Sequence, residues 1–180
     1  MSYFRDQLES YLKTLDIKAD IVFDVGGLAK PVKDRVKSWD VKDYRILDLP
    51  EYDLNRLDPQ TQSPREEADV AFCLEVMEYI YSPNYAMLNL MLLVKKGGTL
   101  YITFPFVYPH HNPEGLDSLR YTEWGARKLL EQQGFIIEEI IYRTDRSGLL
   151  KEFYAADGMR ASKEYRHHEA TGFIVKAKKI

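Results

Sequence analysis

The chain has 180 residues, 25 basic against 28 acidic, a net charge of −3 and one cysteine, Cys73. That length suits one domain over residues 1–180 with a single sizeable core, and the balanced charge sets up no field that would gather a polyanion, so nucleic acid is not an expected partner. A lone cysteine excludes a disulfide framework and a cysteine-based metal site, which fits a reducing cytoplasm.

Charges at Arg5, Asp6, Glu9, Lys13 and Asp16 argue against an export signal. No apolar run approaches the roughly 20 residues that span a bilayer, so a membrane is not an expected partner either. Tyr3, Phe4, Leu8, Tyr11, Leu12 and Leu15 recur at helical spacing and predict an amphipathic helix over residues 2–16 that covers a sheet. Ile21-Val22-Phe23-Asp24-Val25-Gly26-Gly27 follows, an apolar run with an acid and paired glycines. It reads as a buried parallel strand ending in a tight turn, where Gly26 and Gly27 let main chain approach a nucleotide-like ligand. The stretch from Lys30 to Asp40 contains Pro31 and little apolar periodicity, so the first crossover helix is expected to be short or replaced by an ordered loop. Lys30, Lys33, Arg35 and Lys37 read as a solvated face before an anion site.

Tyr44-Arg45-Ile46-Leu47-Asp48 is a second strand closed by an acid. An acid at that tip, roughly 20 residues after a glycine turn, is where dinucleotide folds hold a ribose diol, which makes Asp48 a ligand candidate. Residues 50–67 are polar, with Pro50, Pro59 and Pro64, and give no clear strand. Strands are predicted over Asp69–Leu74, Thr99–Phe104, Phe135–Arg143 and Thr171–Lys178, with a helix from Pro83 to Val94 ended by Lys95-Lys96-Gly97-Gly98. Thr122 is placed to cap a helix through Gln133, with Gly134 ending it. The loop from Pro105 to Gly115 leaves the carboxyl end of a strand beside the expected site and carries His110 and His111. Imidazole titrates near neutral pH, so either could serve as a general base; surface histidine pairs are also common filler.

Taken together, Ile21 to Gly27, Asp48, Ala68 to Tyr79, Val94 to Gly98 and Arg120-Tyr121-Thr122 resemble, in order, the motifs of class I S-adenosylmethionine-dependent methyltransferases, in a small single-domain form similar to type 11. Leu28 stands where the family has the last glycine of acid-x-Gly-x-Gly. The resemblance implies an α/β, Rossmann-like, mostly parallel seven-stranded sheet with an antiparallel last strand between the fifth and sixth, helices on both faces and a reduced first crossover helix. It implies S-adenosylmethionine as cofactor, held by Asp24, Gly26, Gly27, Asp48 and Glu75, with Asp53 or Asn55 toward the adenine amino group. Glu75 to Tyr79 would line the transferring methyl, with Tyr79 in place of the family's histidine. A phenol makes a poorer base than imidazole at neutral pH, although it can donate a hydrogen bond.

The implied activity is methyl transfer to a small-molecule acceptor, at oxygen, with His110, His111 and Tyr79 as acceptor-side groups and no metal. The motif of enzymes that methylate exocyclic amines of DNA bases is absent. Residues 144–170 form a long connection re-entering at the same edge, containing Tyr154, Arg160, Tyr165, Arg166, His167 and His168, and are expected to act as a lid that selects substrate. Two rivals fit part of the pattern. A catalytically inactive methyltransferase-like binding module would explain the missing glycine and Tyr79, and a nicotinamide-dependent oxidoreductase would need a third glycine opening a helix, which Leu28-Ala29-Lys30-Pro31 does not offer.

Overall fold

The computed structural model describes residues 3–56, 68–110, 115–156 and 169–180. Helix α1 (Tyr3–Leu12) leads into strand β1 (Asp16–Val25), and a single 3-10 turn, Val32–Asp34, is all the helix there is before β2 (Ser38–Leu47). Then come β3 (Ala68–Cys73), a 3-10 turn (Met77–Tyr79), α2 (Pro83–Leu93), β4 (Val94–Pro105), α3 (Glu123–Gln132), β5 (Phe135–Thr144), α4 (Leu149–Ala156) and β6 (Ala170–Lys179). The strand order is β2-β1-β3-β4-β6-β5. Strands β1 to β4 pair in parallel, and β6 runs antiparallel between β4 and β5. The carboxyl ends of β1 to β5 therefore share one edge, and the chain reverses its direction of travel across the sheet between β1 and β3. An open α/β sheet forms its ligand crevice at such a point.

Six strands, not the expected seven, lie among the described residues. After β2 the chain turns at once: the Tyr52 amide donates to the Asp48 carbonyl, and Tyr52 and Leu54 plunge into the core. The buried Asn89 on α2 donates to the carbonyls of Leu54 and Arg56, clamping this loop in place of a strand. Residues 57–67 lie outside the described set.

Alternation along the strands feeds two apolar layers. Phe23, Ala71, Cys73, Leu100 and Ile102 pack with α2 and α3, whereas Val22, Phe72, Leu74 and Tyr101 pack with α1 and Val32. Leu8 and Leu12 are completely buried beneath α1. At roughly 1.5–3 kcal/mol for each such side chain, this burial holds a helix too short to persist alone. Thr122 caps α3 by accepting from the Gly125 amide. Of the lysines expected to close α2, Lys95 pairs instead with Asp69. Lys179 of β6 instead donates to the carbonyls of Met91 and Val94 at the negative end of α2.

Candidate cofactor and acceptor site

A pocket of about 280 Å³ opens where β1, β2 and β3 end, slightly below the roughly 300–1,000 Å³ usual for small-molecule sites. Its polar wall groups include Asp48, Asp53, Glu75 and Tyr79, set among apolar residues such as Val25, Leu47 and Ile80; among the described residues no lysine or arginine lines it.

Gly26 forms the floor with a φ of +77°, and its amide donates to the Leu47 carbonyl, tying the turn to β2. A Cβ there would meet Val76 Cγ2 at 2.4 Å, so Gly26 is required by backbone conformation and by the close approach of the loop after β3. A Cβ on Gly27 would fall 2.2–2.5 Å from the Asp24 carboxylate. Gly27 thus roofs Asp24 and is not part of the pocket wall.

Asp24 itself turns away from the pocket. It is 3% exposed, and its Oδ2 accepts from the Val32 amide at 2.7 Å and the Tyr44 hydroxyl at 2.6 Å. Burial pushes its pKa above the usual carboxylate value, against the lowering by those two donors. The acid expected to touch cofactor instead braces the 3-10 turn between β1 and β2.

Asp48 stands at the pocket wall, its Oδ2 accepting from the Leu28 amide at 3.0 Å and its Oδ1 from the Leu49 amide at 2.8 Å. Each carboxylate oxygen has a further lone pair for a hydroxyl. Asp53 also lines the pocket and accepts from the Asn55 amide, while its partner Arg56 is largely exposed. Asn55 lines it too, but its side-chain oxygen is committed to the amides of Tyr81 and Ser82.

Glu75 has a positive φ of 58°. Its carboxylate accepts from Arg143 Nη1 at 2.7 Å and from the Tyr108 hydroxyl at 3.3 Å. Nothing in the motifs pointed to Arg143, although one signal exists: a lone arginine in an apolar strand, opposite Gly172 in the antiparallel ladder. Tyr79 lines the same pocket, its pKa raised by burial and by the carboxylates of Glu78, Asp117 and Glu75, which makes it a proton donor at neutral pH.

His110 is not in this pocket. It stands 98% exposed over an adjoining groove of about 380 Å³ lined by Phe106, Tyr108 and Asp117, with Nδ1 3.5 Å from Asp117 Oδ2. Arg120 holds Asp117 from below with two hydrogen bonds and reaches the carbonyls of Tyr108 and Pro109, so the Arg-Tyr-Thr segment staples the histidine loop. Groove and pocket share a wall, because Tyr108 bonds Glu75 and Leu116 of the pocket precedes Asp117 of the groove. His111 lies outside the described residues. So do Arg160, Tyr165, Arg166, His167 and His168, and the side chain of Tyr154. Of the basic cluster, Lys30 and Arg35 are paired with Glu9 of α1. Among the described residues no three His, Cys, Asp or Glu side chains converge as a metal site would require, and no helix is long and apolar enough to cross a membrane.

No protein-family model matches the chain, and no curated protein matches it. Solved structures do. A methyltransferase from Mesorhizobium loti described as S-adenosylmethionine-dependent superposes with a TM-score of 0.57 at 14% identity over 99% of this chain and 98% of its own. The Haloferax volcanii complex between the Trm112 methyltransferase activator and a proposed methyltransferase gives 0.62 at 14%, over 98% and 88%. Haemonchus contortus phosphoethanolamine N-methyltransferase 2, bound to phosphomonomethylethanolamine and S-adenosylhomocysteine, gives 0.60 at 14%, over 98% and 52%. A [4+2]-cyclase, SpnF, gives 0.58 at 19%, over 97% and 80%. The chain therefore has the fold of S-adenosylmethionine-dependent methyltransferases.

Proposed function

We propose that this protein is an S-adenosylmethionine-dependent methyltransferase acting on a small molecule, with oxygen as the receiving atom. The observation that carries the reading is the polar make-up of the pocket at the chain reversal: Asp48, Asp53 and Glu75 among apolar walls, bare main chain at Gly26 and, among the described residues, no basic side chain. Those residues fit an adenosyl group and a cationic tail. A dinucleotide fits poorly, because its pyrophosphate needs a helix N-terminus, and only a three-residue 3-10 turn follows the glycines.

When bound, the cofactor supplies a methyl group already activated by a sulfonium. The chain's own task is to align acceptor and donor, exclude water and take up a proton. Asp48 holds the ribose hydroxyls and Asp53 faces the adenine end. The groove beside Glu75 receives the acceptor against Phe106 and Tyr108, and His110, oriented by Asp117, removes the hydroxyl proton. Tyr79 donates a hydrogen bond rather than taking a proton. Residues 144–170 act as the lid that selects the acceptor.

Transfer of a labelled methyl group to a panel of phenols and alcohols tests the reading. His110→Ala is expected to lower kcat by about 10²–10⁴ with cofactor affinity unchanged. Full activity in that variant would remove His110 from the chemistry. Cofactor binding without transfer to any acceptor would favour the inactive binding module.

A further inference from the structure

Among the described residues Arg143 is the largest side chain withdrawn completely from solvent, at 1% exposure. Burying a guanidinium is costly unless its charge is matched, and here the match is Glu75, 2.7 Å from Nη1. The guanidinium also lies over the Tyr108 ring, 5.5 Å from its centre. Space for it comes from Gly172, where a Cβ would stand 3.3 Å from Nη2 and 3.4 Å from Nε. The buried Nε has no hydrogen-bond partner among the described residues.

Glu75 is fixed from the other side too, since its amide donates to Thr103 Oγ1 at 2.7 Å. The titratable and charged groups facing this part of the pocket are Arg143 from β5, Tyr108 from the loop after β4, Glu78 and Tyr79 from the 3-10 turn, Asp117 beyond Tyr79, Arg5 from α1, and Asp48 and Asp53 along the wall. Carboxylates outnumber cations here.

Asp48 and Glu75 follow the ends of β2 and β3, on either side of β1, which sets them roughly two strand spacings or about 10 Å apart. With a ribose at Asp48, Gly26 and Glu75 are the residues of the same pocket that would receive its 5′ substituent. We propose that Arg143 is a positioning residue that holds the Glu75 carboxylate at the pocket wall, so that the pocket distinguishes the cofactor's sulfonium from the neutral thioether of its demethylated product. This rests on the reading of the pocket as an adenosyl-sulfonium site. The consequence is weak product inhibition.

Calorimetric titration of the full chain with S-adenosylmethionine and S-adenosylhomocysteine between pH 6 and 8.5 tests it. The wild type is expected to prefer the sulfonium by about tenfold, at a ratio constant across the range. Glu75→Gln abolishes the preference and leaves homocysteine-form affinity within about twofold. Arg143→Met loses the preference across the whole range, with the neutral ligand unaffected, whereas Arg143→Lys keeps it throughout. Should Arg143→Met fail to fold, Glu75→Gln carries the test, because its amide oxygen still accepts from Arg143. Equal weakening of both ligands in Glu75→Gln, or no wild-type preference, overturns this proposal alone. A wild type that binds neither ligand overturns the reading of the pocket and this proposal with it.

Discussion

Asp24 carries both of its strong hydrogen bonds on a single oxygen, one from the Val32 amide and one from Tyr44. An asparagine oxygen in the same place accepts both and brings no buried charge. Because burial raises the Asp24 pKa in the folded chain, folding favours the protonated form. Its contribution is therefore largest in acid and declines as pH rises through the folded pKa. Asp24→Asn is expected to be as stable as the wild type or more so at pH 7, with the difference closing as pH falls. Asp24→Ala strands two donors and should cost about 2–3 kcal/mol. Chemical denaturation of both variants across pH checks this, and an Asn variant as damaged as the Ala variant would contradict it. The sequence shows an acid before paired glycines, but not which way the carboxylate turns, and so it cannot separate a brace from a ligand. Asp48 was more legible because a strand tip leaves an acid little choice but the crevice.

At the scale of elements, α1 is a clasp over the ligand edge. Gln7 bonds both the amide and the carbonyl of Thr144, Tyr11 donates to Glu139, Phe4 packs on Tyr108, and Glu9 holds Lys30 and Arg35 from the glycine loop. Burial pushes the Glu9 pKa up, but Lys30 and Arg35 outweigh it and hold the carboxyl below its usual range. Its stabilisation is thus present above the unfolded pKa and lost as pH falls through the lowered folded value. Glu9→Gln should speed amide exchange in residues 3–12 and 28–36 at neutral pH, with wild type and variant converging in acid; unchanged exchange at neutral pH would show the clasp to be idle. The first halves of β1 and β2 escaped sequence reading for a related reason. They carry charges paired laterally, Lys18 with Asp40 and Lys42 with Asp20, so the apolar runs begin only at Ile21 and Tyr44. Helix α4 is likewise an unforeseen element within the long connection after β5.

For the molecule as a whole, strand order follows from alternation and crossover rules, which the sequence displays openly. Chemistry does not follow in the same way, because one fold hosts many reactions, and a cyclase stands among the solved structures this chain resembles. What narrows the choice is local: a pocket of carboxylates and bare backbone at the reversal point, with a histidine groove sharing one wall. Only a three-residue 3-10 turn follows the glycines, so the pocket has no helix N-terminus to offer a pyrophosphate, and this favours the cationic adenosyl ligand proposed above. Titrating wild-type protein and Asp48→Ala with S-adenosylmethionine measures that claim most directly. Binding in the micromolar range is expected for the wild type, weakened by about 10- to 100-fold in Asp48→Ala through loss of hydrogen bonds to a charged group. No heat at millimolar ligand, or equal affinity in the two proteins, would contradict it.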